Sequence, residues 1–138
     1  MNNIIKLKKL LKLFMIDGYI IPKNDEFFEE NVADHNDRLK FISNFTGSFG
    51  FALILKKKNY LFVDGRYTIQ AQIESGKFFK IEKIEKIFNC KLFKGLNLGV
   101  DPKIFTHEQI KKFFLKYNKI KIINYNLIDQ IYNRYPHN

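Results

Sequence analysis

A chain of 138 residues, 46% hydrophobic and 16% aromatic, is long enough for one packed domain over 1–138 and too apolar to stay unfolded. Its single cysteine, Cys90, excludes an internal disulfide and a four-cysteine zinc site, and fits a cytoplasmic setting. The net charge of +10 comes from 24 basic and 14 acidic residues, and only Arg38, Arg66 and Arg134 are arginines. A solvated lysine surface accounts for that charge. So does a basic module for nucleic acid or an anionic surface, but the scarcity of planar guanidinium groups weighs against it.

The chain opens on Ile4, Leu7, Leu11 and Phe14, one face of a helix, with Lys6, Lys8, Lys9 and Lys12 between them. The lysines interrupt the apolar block that a secretory leader needs. An amphipathic helix over 1–15 packed on the domain is expected, with a membrane-surface helix as the alternative. No apolar run approaches the ~20 residues of a membrane span. Tyr19-Ile20-Ile21 is β-rich and stopped by Pro22. The stretch to Asp34 is polar and acidic, a loop or short helix. Leu39, Phe41, Ile42 and Phe45 predict a helix over 37–44, ended by the small residues Thr46-Gly47-Ser48-Phe49-Gly50.

Phe51–Leu55 and Tyr60–Val63 are expected strands, joined as an antiparallel hairpin. A helix over 66–75 closed by Gly76 follows, then a strand over 78–81 and a helix over 84–93 with Gly95 beyond it. Leu96–Val100 is a strand broken by Asp101-Pro102. Thr106 and Gln109 form a capping box for a helix to about Tyr117. Ile120–Ile123 is a strand and 127–132 a last helix. This alternation predicts an α/β fold of three layers, a mixed sheet flanked by helices.

Asp64-Gly65-Arg66-Tyr67 sits between a strand and a helix. Gly65 permits a sharp turn and Asp64 can cap the helix. A cation at a helix start is disfavoured by the dipole, so Arg66 needs a carboxylate or a ligand; a structural salt bridge and a binding role both meet that need. The hydroxyls and glycines of 46–50 could cradle an anion, or simply terminate a helix. His35, His107 and His137 lack the spacing of a zinc site, and Cys90 reads as packed rather than reactive.

Several segments together resemble one family: Asp17 to Pro22; Asn24-Asp25 with the acidic run to Glu30; Arg38-Leu39 with Phe41 to Ser43; Phe45-Thr46-Gly47-Ser48 and Gly50; Asp64-Gly65-Arg66-Tyr67 with Gln70-Ala71; Gly99 to Pro102; and Asn126 to Asp129 with Ile131. In this order they resemble the N-terminal domain of the aminopeptidase P (Xaa-Pro aminopeptidase) group of the creatinase/prolidase superfamily, over about 16–136. One departure is Tyr135, which separates Arg134 from Pro136. The resemblance implies a creatinase N-terminal fold with a ribonuclease H-like motif. It implies a peptidase that removes the residue before proline with two metal ions, commonly manganese, held in a C-terminal domain this chain lacks. The chain alone would be non-catalytic and hold no cofactor. It would cover the active-site entrance of a catalytic domain, in cis or on a separate chain, and contribute to oligomer contacts such as a homodimer, with neither specific nucleic acid nor membrane as partner. Arg66 would approach the substrate entrance, and Asp64, Gly65, Tyr67, Gly47, Ser48 and Gly50 would shape the motifs around it.

Overall fold

The structure, a computed structural model, describes residues 2–23, 37–89, 94–105, 107–111 and 117–131. The acidic segment after Lys23, His35, Cys90, Thr106 and the Arg134 to Pro136 tail lie outside these residues. Six strands, β1 (Gly18–Pro22), β2 (Gly50–Leu55), β3 (Asn59–Val63), β4 (Lys80–Lys83), β5 (Asn97–Val100) and β6 (Lys119–Ile122), form one sheet in the order β4-β3-β2-β1-β5-β6. β2 runs antiparallel to β1 and β3, whereas β3–β4, β1–β5 and β5–β6 are parallel. The mixed sheet and the hairpin match the sequence expectation.

Side chains alternate across a strand, so a sheet buried on both faces must be apolar at nearly every position. β1 to β3 are. Tyr19, Ile21, Ala52, Ile54, Leu61 and Val63 point to one layer; Ile20, Phe51, Leu53, Tyr60 and Phe62 point to the other. The first layer holds α1 (Asn2–Leu13), α2 (Arg38–Ser43), α3 (Thr68–Ser75) and α6 (Leu127–Ile131), through Ile4, Leu7, Leu11, Leu39, Ile42, Ala71, Leu127 and Ile128. The second holds α4 (Lys86–Asn89), α5 (His107–Ile110) and the Ile104-Phe105 turn. The lysines of α1 fall on its open face, and the helix packs on the domain as expected.

Some boundaries move for physical reasons. Pro22 is the last residue of β1 rather than the residue that follows it; opposite Phe51 it occupies a terminal ladder position where a missing N–H is tolerated. α2 is closed by Asn44 in a left-handed conformation (φ 67°), its N–H bonded to Lys40 O, so the terminator lies before Gly47. β4 starts at Lys80 because its parallel register sets Tyr60 against Lys80; Phe79 stays in the preceding turn, bonded to Ser75 O, with its ring buried.

A polar network joins the ends of the chain inside the first layer. The Arg38 side chain is fully buried and grips Asp129 with Nε to Oδ1 at 2.9 Å and Nη2 to Oδ2 at 3.0 Å. Asn126 caps α6 through Ile128 N and donates to the buried Asp101 carboxylate at 2.8 Å, while Leu127 N donates to the Tyr19 hydroxyl. Burial pushes that phenol well above its ordinary range, so Tyr19 is neutral. Removing a carboxylate from a buried guanidinium costs about 3–5 kcal/mol. Asp129→Ala is therefore expected to lower unfolding stability by about 3 kcal/mol, read as a drop in urea midpoint at unchanged m-value.

Candidate functional site

β3 ends at Val63, and residues 64–67 carry the chain into α3. Asp64 is extended (φ −61°, ψ 145°), and its Oδ1 accepts from Arg66 N at 2.9 Å and Arg66 Nε at 3.1 Å. Gly65–Tyr67 thus form one 3-10 turn, and the α-helix proper starts at Thr68 rather than Arg66. Asp64 caps as expected. Gly65 differs from expectation: it does not take up a left-handed conformation, and a Cβ there would meet only Lys83 Cε, at 4.0 Å. The Asp64 carboxylate closes the turn instead.

Arg66 is 75% exposed and lies over the Tyr67 ring, 5.4 Å from its centroid. The Arg66 backbone amide, then its guanidinium, hold Asp64 below the usual carboxylate range; the same carboxylate raises Arg66. The cation's carboxylate partner thus comes from within the motif. That bond engages Nε only; the terminal nitrogens make no hydrogen bond among the described residues.

The two sequence motifs meet in space. Tyr67 Oη and Ser48 Oγ are 2.8 Å apart, and the Tyr67 ring sits edge-on to Phe45 with centroids 6.0 Å apart. Phe45 is the buried post under this corner. A Cβ on Gly47 would fall 2.2 Å from Phe45 Cζ, and one on Gly50 3.2 Å from Phe45 Cε2 and 3.1 Å from Phe62 O. Only glycine fits position 47, for reasons of space and not of backbone angle.

α3 fastens the same turn. Thr46 donates from N to Glu74 Oε1 at 2.9 Å and from Oγ1 to Glu74 Oε2 at 2.7 Å, and Gln70 Nε2 donates to Thr46 Oγ1 at 2.8 Å. Ser75 Oγ donates to Ser43 O at 2.6 Å. The Thr46 amide and hydroxyl that could have cradled an anion are therefore committed to Glu74, and Ser48 to Tyr67; the helix has already ended at Asn44, and the turn supports the corner. Glu74 is the residue that sequence reasoning passed over, and Phe45 reads in sequence only as part of a helix face and of the 45–50 motif. The pairing of Gln70 with Glu74, four apart on one helix face, was the available signal.

Among the described residues, no group of three or more His, Cys, Asp or Glu is placed to hold a metal ion. Four of the described carboxylates are engaged elsewhere: Asp64 by Arg66, Glu74 by Thr46 and Gln70, Asp129 by Arg38, and Asp37 by Lys23. The donors among the described residues do not fit a dinuclear centre.

Desolvation pushes the Glu74 carboxyl up, but the Thr46 hydroxyl and amide and the Gln70 amide outweigh it and hold it below its ordinary 4.5. A carboxyl lowered on folding stabilises fully above its unfolded value, and the gain is lost as pH falls through the folded value. Glu74→Gln is expected to flatten the fall in stability between roughly pH 5 and pH 3, measured by urea unfolding at stepped pH.

Comparison with known proteins places this geometry. The pattern of the Creatinase/Prolidase N-terminal domain matches residues 4–130. The probable Xaa-Pro aminopeptidase P of Laccaria bicolor is 31% identical over 92% of this chain, and aminopeptidase P2 of Arabidopsis thaliana 33% over 92%. The chain spans only about a fifth of these relatives' length, 22% and 20%. A crystal structure of X-prolyl aminopeptidase from Caenorhabditis elegans, a cytosolic enzyme with a di-nuclear active site, superposes with TM-score 0.81 at 25% identity, over 99% of this chain and 26% of that one. The N-terminal domain of the peptidase PepQ from Mycobacterium tuberculosis shares the fold, with TM-score 0.70 at 17% identity over 95% of this chain and 98% of that one. The basic-module alternative gains no support from these relatives. No described helix is long and apolar enough to cross a membrane. The family pattern over 4–130 and the superposition agree: the chain belongs to the creatinase/prolidase N-terminal domain family.

Proposed function

We propose that this chain is the non-catalytic N-terminal portion of a Xaa-Pro aminopeptidase, working in the cytoplasm, with the catalytic portion supplied in cis or by a separate chain. The observation that carries this is coverage. Almost the whole chain aligns with relatives of that name, yet it accounts for about a fifth of each. The two manganese ions that such an enzyme would use belong, in this reading, to the remaining length. All of 1–138 acts as one domain, and contacts between copies are part of the same role.

Arg66 is the residue we assign to the substrate entrance. Its position supports this: it projects into solvent at the end of β3, on a corner fixed by Asp64, Tyr67, Ser48 and Gly47 rather than on a loose loop. A pre-oriented guanidinium with free terminal donors among the described residues can receive a peptide carbonyl or carboxylate at little ordering cost.

Two experiments test the proposal. With added manganese, the purified chain is expected to release no N-terminal residue from Xaa-Pro peptides; release that scales with chain concentration after contaminant controls overturns the proposal. Fused in place of the matched portion of the Caenorhabditis elegans enzyme, it is expected to support Xaa-Pro cleavage. In that fusion Arg66→Ala is expected to lower kcat/KM roughly tenfold, about 1.4 kcal/mol, the size of one charged hydrogen bond. An unchanged kcat/KM across peptide lengths removes Arg66 from the entrance.

A further inference from the structure

The contacts on the Arg66 guanidinium itself are weak holders. Its ion pair with Asp64 is open to water, with the two side chains 75% and 40% exposed, and such pairs contribute little. One exposed ring face under a cation adds a similarly small amount. How firmly the guanidinium is aimed therefore depends on what immobilises the ring beneath it. Tyr67 is gripped at two points, its hydroxyl by Ser48 Oγ at 2.8 Å and its ring edge by the buried Phe45. Both partners lie between α2 and β2, where neither a helix nor a strand ladder holds the backbone.

Thr46 is what holds that stretch. Its amide donates to Glu74 Oε1 and its hydroxyl to Glu74 Oε2, so one carboxylate takes both donors. Gln70, one helical turn before Glu74, donates to the Thr46 hydroxyl oxygen and to Glu74 Oε1. Hydrogen bonds to an ionised acceptor are stronger than neutral ones. Glu74 is half-buried and carried by α3, the helix that continues directly from the Arg66 turn. The contacts thus form a closed circuit, from Arg66 through Tyr67, Ser48 and Thr46 to Glu74 and back along α3. By rise per residue Glu74 lies about 13 Å from Arg66 along the axis. That is beyond the ~8 Å screening length at physiological salt. Its influence on the guanidinium passes through contacts, not through charge.

We propose that Glu74 and Thr46 are positioning residues for Arg66. Their clasp fixes residues 46–48, Ser48 then fixes the Tyr67 ring, and the ring aims the terminal guanidinium nitrogens at a peptide in the substrate entrance. This deepens the entrance role proposed above for Arg66 and rests on it.

The test uses Thr46→Val, which removes the hydroxyl at nearly constant shape, and Glu74→Gln, which removes the charge; Thr46→Ser keeps the hydroxyl. With Arg38, Arg66 and Arg134 as the only arginines, the arginine Nε–H region of an NMR spectrum is simple, and Arg38, bonded to Asp129 in the first layer, reports on the fold. In the chain alone, Thr46→Val and Glu74→Gln are each expected to lower the heteronuclear NOE of Arg66 Nε to roughly half, with Arg38 unchanged. Thr46→Ser is expected to restore the Arg66 value. In the fusion with the Caenorhabditis elegans enzyme, Thr46→Val is expected to lower kcat/KM roughly threefold, the worth of one neutral hydrogen bond. It is expected to cost nothing further once Arg66→Ala is present, because residues that act through one group are not additive. An Arg66 signal unmoved by both substitutions, Arg66 and Arg38 signals that loosen together, or a Thr46→Val cost that is absent or equal with and without Arg66 overturns the inference and leaves the entrance role standing. A fusion that cleaves no Xaa-Pro peptide, or one in which Arg66→Ala changes nothing, overturns the entrance role and this inference with it.

Discussion

The structure depends on burying both faces of β1, β2 and β3. Three adjacent strands with apolar side chains on each side cannot stop at two layers; helices must cover both. That demand fixes α1, α2, α3 and α6 on one side and α4 and α5 on the other. It also leaves no room for chemistry within the central sheet. Polar groups with freedom to act can lie only where the chain leaves it. The corner made by the end of β3 and the start of β2 is such a place, and it holds the motif residues 46–50 and 64–67.

That corner is built more for rigidity than for reactivity. Phe45 sets the spacing, Gly47 and Gly50 let backbone approach the ring, and Tyr67, Ser48, Thr46, Gln70 and Glu74 use up their hydrogen bonds on one another. The exception is the outer edge of Arg66. One held guanidinium on a fixed corner agrees with the positioning role proposed for it. Membership of the family and the chain's share of its relatives point the same way.

Most of the fold could be read from the amino acids, because both core layers write themselves as uninterrupted apolar strands with helical patterns between. The site was legible in part. Asp64 as a cap followed from its type and place. The meeting of 46–50 with 64–67 did not follow from local pattern, since it depends on the β2–β3 pairing and on a single ring, Phe45, filling the space between them. The bounds of β4 were misread for a related reason: Phe78 and Phe79 look like strand residues, but parallel pairing with β3 starts the ladder two residues later and spends Phe79 as a core plug. Gly65 reads as permitting the sharp turn; the Asp64 side-chain oxygen closes it instead.

The grip of Arg38 on Asp129 spans 91 positions of chain. β1, near the start, likewise takes its parallel neighbour from residues 97–100. Contacts so distant in sequence carry a loop-closure cost before they return any energy, which slows folding. During synthesis α1, α2 and the β2–β3 hairpin emerge first, with a guanidinium whose carboxylate has yet to be made. The first layer therefore closes late, when α6 arrives to complete it, and the nascent domain stays open to chaperones until nearly all of its length has left the ribosome.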